Sequence, residues 1–396
     1  MPKRKSLKFI DLFCGIGGFH TALEKLGHKC VLACDIDKNC REIYEKNYKI
    51  KPVDDIRKID EKTMVNFDIL CAGFPCQAFS NAGHKHAFQD KVRGTLFFDI
   101  IRLAKEKQPK FMFLENVKHI KKVDNGNVFK TILGALDEVG YHIEEETGVF
   151  ELSPHQLGIP QDRKRVIFVC IRKDIYDPDK IIDLDLDENV EINFDNIIEE
   201  NVDEKYKVSE EIEILFDAWD EIISEMEVGQ KLSPTILCNE FHSNYSEEEF
   251  KELPQWKQDY ITKNKPIYEK YKDKWDAWYE VNKEILQKKQ VNGKLEWQAG
   301  PKRENDSIWN HFIQVRQSGI RVKKSKFFPT LVAIVQTPIY GKEKRYITPR
   351  ECARLQSFPD SFILPENDKV AYKQFGNAVN VEVVYRVMSK TLELYL

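Results

Sequence analysis

Short apolar runs alternate with amphipathic stretches through the first 172 residues. Lys8–Phe13, Cys30–Cys34, Phe67–Cys71, Phe111–Leu114 and Val166–Ile171 are dense in β-branched and aromatic side chains and predict strands. Between them, Phe19–Leu26, Lys38–Asn47, Leu96–Lys107 and Asn127–Val139 place apolar residues every third or fourth position and predict helices. Short apolar strands separated by helices bury both sheet faces only when helices cover each side. The expected fold is therefore α/β, a doubly wound and mostly parallel sheet, with ligands bound beyond the carboxyl ends of its strands.

After Arg172 the texture changes. Asp183 to Glu227 holds eighteen acidic residues and two lysines, whereas Val228 to Arg350 holds twenty-three basic and fifteen acidic ones. All six tryptophans fall within residues 219–309, and Tyr268–Ile285 has the spacing of an exposed helix. A second, smaller domain is expected over 173–369. The amphipathic stretch Val379–Leu396 predicts a helix that returns to the first domain, which is then expected over 1–172 plus 370–396. The acidic stretch suits a solvated or shielding surface, or a mimic of phosphate, better than a nucleic-acid contact.

With 396 residues, 42% hydrophobic and 32% charged, the chain has material for more than one core, and a net charge of -4 names no partner. Nine cysteines include no Cys-x-x-Cys pair, which argues against a metal site. The start Met-Pro-Lys-Arg-Lys-Ser has no apolar core, and no run approaches the ~18 apolar residues of a membrane span. A reduced, soluble protein of the cytosol or nucleus is expected.

The strand-end loops carry the chemistry. The first strand runs into Cys14-Gly15-Ile16-Gly17-Gly18, a tight turn whose Gly-x-Gly-Gly spacing differs from the dinucleotide fingerprint. The second ends at Asp35, with Asp37 following, where a carboxylate commonly meets ribose hydroxyls. The third opens into Gly73-Phe74-Pro75-Cys76-Gln77, and a cysteine beside a stiff proline suits an exposed nucleophile, whereas Cys30, Cys34, Cys71 and Cys170 lie in core patterns. The fourth leads to Glu115-Asn116-Val117 on the same rim. A carboxyl directly after a buried strand is partly desolvated and can deliver a proton near neutral pH, so thiol and carboxyl form a usable pair.

Asp11-Leu12-Phe13-x-Gly15-x-Gly17-Gly18, Pro75-Cys76-Gln77, Glu115-Asn116-Val117, Gln161-x-Arg163-x-Arg165, Arg350-Glu351-Cys352-Ala353-Arg354-Leu355-Gln356-x-Phe358-Pro359-Asp360 and Gly376-Asn377-Ala378-Val379 follow one another in this order. In this the chain resembles the cytosine-5 DNA methyltransferases, most closely the compact modification methylases of bacterial and viral restriction systems. The resemblance implies the methyltransferase type of α/β fold, with S-adenosylmethionine as cofactor, S-adenosylhomocysteine as product and no metal. Cys76 would add to carbon 6 of a flipped-out cytosine, Glu115 would bond ring nitrogen 3 and the amine, Arg165 the base carbonyl, and Arg163 would lie near the adjacent backbone. At positions i and i+2 of a strand, the two arginines are expected to point the same way.

The same resemblance implies Phe13, Gly15, Ile16, Gly17 and Gly18 around the methionine end, Asp35 at the ribose, Ile36 and Ile56 flanking the adenine and Asp55 near its amine. Ile36 stands where relatives often carry an aromatic ring, which implies weaker stacking. Gly73, Pro75, Leu96 and Asn377 would complete the cofactor site. The second domain takes the place of a target recognition domain, with Gln77, Ser80, Arg321, Lys323, Lys324, Lys326 and Thr330 toward the DNA. The implied partner is double-stranded DNA, with a cognate restriction endonuclease acting separately. A monomer in the cytoplasm of a bacterial or virus-bearing cell, or in a eukaryotic nucleus, is expected. A transfer RNA cytosine is the runner-up substrate, but that branch carries Cys-Phe-Thr where this chain has Phe327-Phe328-Pro329-Thr330. A non-catalytic binding module and a nicotinamide oxidoreductase fit less well, because each leaves the Cys76 and Glu115 motifs unexplained.

Overall fold

The computed structural model describes residues 6–75, 96–333 and 336–396. The chain forms two compact units, Met1–Ile198 with Pro349–Leu396, and Glu199–Thr348.

The first unit is built on a sheet of β1 (Lys8–Leu12), β2 (Lys29–Cys34), β3 (Ile69–Gly73), β4 (Phe111–Val117), β5 (Tyr141–His142), β6 (Val149–Leu152) and β7 (Arg165–Arg172). The order is β2-β1-β3-β4-β7-β5, with β6 also on β7. The sheet is mixed: β2, β1, β3 and β4 run parallel, while β7 runs against β4, β5 and β6. Two of the five predicted strands differ in span by more than a residue, and β5 and β6 have no predicted counterpart. β3 is shifted two residues forward, and β4 continues through Glu115-Asn116-Val117 because β7 pairs with it along that whole length.

Helices cover both faces. α1 (Gly18–Lys25), α2 (Lys38–Tyr48), α3 (Leu96–Lys107) and α4 (Asn127–Glu138) follow the predicted spans within a residue. α3 and α4 bury Phe97, Ile100, Phe129 and Ile132 against Leu12, Leu70, Met112 and Phe168. The residues of opposite parity meet other rings, with Phe9 against His20 of α1 and Phe111 against Tyr395.

The units do not share the expected boundaries. Residues 173–198 belong with the sheet, where Arg386 donates to the Leu184 and Asp185 carbonyls and Arg354 to that of Ile197. So does Pro349 onward, because Gln356 donates to the Phe375 carbonyl and Asn380 to that of Leu355.

The second unit has its own sheet, β13-β12-β10-β11-β9-β8, from β8 (Ile236–Leu237), β9 (Lys294–Gln298), β10 (Phe312–Arg316), β11 (Gly319–Lys323), β12 (Ile339–Tyr340) and β13 (Arg345–Tyr346). Its longer helices are α5 (Glu210–Ser224), α6 (Gln255–Lys270) and α7 (Lys272–Lys288). The expected single exposed helix over 268–285 is broken at Tyr271, whose buried ring carries a hydroxyl that meets Gln230 and the Glu227 amide. Behind the break Trp275 and Trp278 pack on Trp219, with Tyr279 in the same core, and so most of the tryptophans are core. The Trp219 indole donates to the Asn292 carbonyl at 2.8 Å, and Trp278 to that of Ala218 at 2.6 Å.

Trp219→Phe removes one buried donor and part of a ring, which should cost about 1–3 kcal/mol. Scanning calorimetry should show a lowered transition; an unaltered one would put Trp219 outside the stabilising core.

Candidate active site

Where β1 ends, the chain turns through Phe13, Gly15 and Gly17, all at positive φ. The Cys14 amide is tied to the Cys34 carbonyl at 3.0 Å and the Gly17 amide to that of Cys14 at 2.8 Å. At Gly18 the obstacle is space, because a Cβ there would stand 2.4 Å from the Val379 carbonyl oxygen. Asp35 at the end of β2 accepts from the Gly15 amide at 2.7 Å and the Asp37 amide at 2.8 Å. Burial pushes its carboxyl up, and those two amide bonds work against the rise. Arg41 closes the same corner by donating to the Asp35 and Ile36 carbonyls.

The other expected cofactor residues have varied settings. Ile36 is 75% exposed and Ile56 is buried. Asp55 is engaged by Arg57, whose guanidinium reaches both carboxylate oxygens and whose amide adds a third bond; this holds the acid down at about 2. Leu96, half-buried, opens α3 and packs on the core. α8 (Pro349–Leu355), α9 (Asp368–Asn377) and α10 (Val381–Tyr395) follow, and Asn377 is the exposed last residue of α9. A Cβ on Gly15 would meet no atom within 4 Å, so open space lies over the turn.

The rim opposite is made by β3, β4 and β7. Gly73 stands in register with Glu115, and Val117 with Arg165, so β7 begins where β4 ends. The Arg165 Nε lies 2.9 Å from Glu115 Oε1, and both side chains are largely buried. Burial pushes the Glu115 carboxyl up, and Arg165 and Arg163 pull it back without cancelling the effect. The buried Asn116 donates to the Phe74 carbonyl at 2.9 Å and accepts from the Val117 amide. That bond fixes the backbone immediately before the exposed Pro75. Cys76, Gln77 and Ser80 lie outside the described residues.

Arg163 departs from expectation. It precedes β7 instead of sharing its strand geometry, and its guanidinium donates to the Gly376 and Ala378 carbonyls at 2.9 and 3.0 Å. It therefore anchors the segment that carries Asn377, while Arg165 alone is paired with Glu115.

In the second unit, Arg321 lies on β11 with its fork on Glu296 at 2.7 Å. Lys323 ends the strand, and Lys324 and Lys326 line a cavity of about 590 Å³ with Val228, Gly229, Gly300 and Arg303. Thr330 is half-buried, next to buried Leu331. Sequence reasoning passed over Arg316, at the tip of the β10–β11 hairpin. Arg303, Arg321 and Arg345 each have a carboxylate partner. Arg316 has none among the described residues, and its Nε is buried without a hydrogen-bond partner. Its place a few residues before Arg321, Lys323, Lys324 and Lys326 is the signal the sequence offers. Among the described residues no group of three His, Cys, Asp or Glu side chains could hold a metal ion, and no helix is long and apolar enough to cross a membrane.

Among solved structures, a Spodoptera frugiperda DNMT2 mutant superposes with a TM-score of 0.56 at 21% identity, covering 98% of this chain and 100% of that one. S. pombe Dnmt2 gives 0.53 at 18% identity, with 98% of each chain covered. These similarities concern the fold alone. In sequence, the chain is 31% identical over 379 residues to the Type II methyltransferase M.HhaI of Haemophilus parahaemolyticus, covering 96% of this chain and 92% of that protein. It is 33% identical over 393 residues to M.HpaII of Haemophilus parainfluenzae, with 98% and 90% covered. With M1.ScrFI of Lactococcus lactis subsp. cremoris it shares 35% over 398 residues, covering 99% and 79%. A family match that runs from residue 7 to residue 393 spans the glycine turn, the Glu115 rim and the whole second unit, and the chain belongs to the C-5 cytosine-specific DNA methylases.

Proposed function

We propose that this DNA cytosine-5 methyltransferase takes its methyl group from S-adenosylmethionine and acts on a flipped-out cytosine in a short duplex sequence, through a covalent Cys76 adduct at carbon 6. The observation that carries the reading is the buried Glu115 carboxyl paired with Arg165 on the rim that leads into Pro75-Cys76.

The residues at the strand ends fit the cofactor. The turn at 13–18 and the Asp35 carboxylate would hold its methionine and ribose ends, with Ile36 and Ile56 at the adenine and Asn377 closing the site. Bound there, S-adenosylmethionine supplies an electrophilic methyl group and leaves as S-adenosylhomocysteine. The Cys76 thiolate adds to carbon 6, and the electron pair of the carbon 5–carbon 6 double bond becomes available at carbon 5. Glu115, its proton retained to higher pH by burial, bonds nitrogen 3 and offsets the charge that develops on the ring. Arg165 fixes Glu115 and bonds the base carbonyl. Once the carbon 5 pair has bonded the methyl group, the carbon 5 proton passes to water, its bonding pair re-forms the carbon 5–carbon 6 double bond, and Cys76 leaves as thiolate with the carbon 6–sulfur pair, restoring the ring. A base inside a stacked duplex is out of reach of these groups, so it must swing out at a cost of a few kcal/mol.

The second unit is proposed as the target recognition domain, with Arg316, Lys323, Lys324 and Lys326 toward DNA phosphates. A transfer RNA substrate is not favoured, since M.HhaI and M.HpaII, at 31% and 33% identity, are named Type II methyltransferases. A cognate endonuclease acting at the same sequence, in a bacterial cytoplasm, belongs to the same proposal.

A duplex with 5-fluorocytosine at the target should trap a denaturant-stable adduct when cofactor is present, and Cys76→Ser should abolish it; an undiminished adduct with serine would remove Cys76 from this role. Arg165 lowers the Glu115 pKa, so Arg165→Ala should raise it. The limb of the single-turnover profile on which activity is lost as Glu115 deprotonates should then move to higher pH, on top of a lower maximum. A limb that stays in place would mean that Glu115 does not donate its proton. Gln at Arg316, or at Lys324 and Lys326 together, should flatten the salt dependence of DNA binding by roughly 0.9 in slope for each phosphate no longer neutralised. Gln at Arg321, already held by Glu296, should change the slope less. Equal flattening at Arg316 and Arg321 would refute the distinction.

A further inference from the structure

Beneath the turn at 13–18 lies a set of rings that no step above uses. The buried His20 stacks on Tyr48 with centroids 3.9 Å apart and a 17° tilt, and its Nδ1 meets the Tyr44 hydroxyl at 2.6 Å. Burial holds the His20 imidazole down at about 4, so it is neutral around pH 7 and the stack is a contact between uncharged rings.

Tyr48 is the member that reaches the turn. Its hydroxyl lies 3.2 Å from the Ile16 carbonyl, 3.0 Å from that of Gly17 and 2.7 Å from Thr21 Oγ1. Each hydroxyl has one proton: with the Thr21 proton on Tyr48, Tyr48 donates to the Ile16 or Gly17 carbonyl, and with the Thr21 proton on Gly17, Tyr48 donates to Thr21, so either arrangement ties Tyr48 to the turn. The ring also occupies the space under Gly17, where a Cβ would stand 2.3 Å from Tyr48 Cε2, and Gly17 sits at φ +92°. Gly17 is thus required twice, by its backbone angle and by the Tyr48 ring. Nor can Tyr48 retreat easily. Its neighbour Asn47 exchanges two hydrogen bonds with the Ile363 backbone, and the Phe362 ring stands 6.4 Å behind.

We infer that Tyr48 is a positioning residue for the cofactor: it touches no reacting atom, but its hydroxyl and ring hold the Ile16-Gly17 backbone in the shape that receives S-adenosylmethionine. The inference rests on the cofactor proposed above. Tyr44 supplies the control, because its hydroxyl meets His20, Cys30 and Asp11 instead of the turn.

The experiment is calorimetric titration of the full chain with S-adenosylhomocysteine, alongside steady-state kinetics in S-adenosylmethionine and thermal melting. Tyr48→Phe should weaken binding about three- to tenfold, the range for one hydrogen bond between uncharged groups. KM for the cofactor should rise in step, while kcat at saturation changes less than about twofold. Tyr44→Phe should lower the melting temperature and leave the dissociation constant alone. Unchanged affinity in Tyr48→Phe, with the wild type binding normally, overturns the role of Tyr48 and nothing else. Equal loss of affinity in both variants would make the ring set a stability element and also overturn it. A wild type that binds neither S-adenosylmethionine nor its product would fail the cofactor reading, and Tyr48 with it.

Discussion

The reversal of one strand decides what the rim can do. β7 runs against β4, so its first residue, Arg165, lies opposite Val117 and within 2.9 Å of the Glu115 carboxylate. In an all-parallel sheet the start of β7 would be at the far edge, and Glu115 would be buried without a cation. Taking a lone carboxylate out of water costs several kcal/mol, and removing one member of a buried pair typically costs about 3–5 kcal/mol. Antiparallel pairing therefore lets an acid sit dry enough to hold its proton while remaining compatible with folding. The pair adds little net stability, and its effect is to hold a desolvated, oriented carboxyl on the rim where the proposed target base would meet it.

The same economy governs the other half of the site. Asp35 is buried, and it is made tolerable by the Gly15 and Asp37 amides. Those amides belong to the two loops that frame the site, so one carboxylate both satisfies them and fixes their spacing. Arg163 performs the corresponding task from the other end of the chain, by holding the Gly376 and Ala378 carbonyls and with them Asn377. Asn116 does it for the Phe74 carbonyl. Each loop is thus gripped by a buried polar side chain from a regular element or its flank, which is how loop residues keep positions good enough for chemistry.

Much of this was legible in the sequence, and the gaps have a common cause. Periodicity carries the identity of an element, and so α3 appears at Leu96–Lys107 as expected. Periodicity says nothing about which strand lies beside which, or in which direction. A buried antiparallel strand reads like a parallel one, which hid the direction of β7 and the extension of β4 through Val117. The spacing of Arg163 and Arg165 implies a shared direction only if both lie on one strand, and β7 starts at Arg165. The break at Tyr271 is hidden for a related reason, since the apolar spacing runs on through it while the backbone leaves helical geometry at that residue, whose ring is buried.

Charge shows the limit most clearly. The acidic stretch and the basic stretch look like separate surfaces when counted along the chain, yet within the second unit they neutralise one another. Glu211 pairs with Lys288 and Lys289, Glu213 with Lys344, Glu225 with Lys274 and Glu227 with Lys270. Exposed pairs of this kind are worth only about 0.2–1 kcal/mol each, so their consequence for stability is small. Their consequence for the field is larger, because a paired lysine presents a dipole where an unpaired one presents a charge. Lys323, Lys324, Lys326 and Arg316 have no carboxylate partner among the described residues, so β10–β11 and the residues after it keep positive charge that no ion pair takes up, at the place proposed above for the phosphate backbone. The acidic residues of α5 need not approach DNA to matter. By taking up lysines in the same unit, they leave Arg316, Lys323, Lys324 and Lys326 among the cations that no carboxylate neutralises.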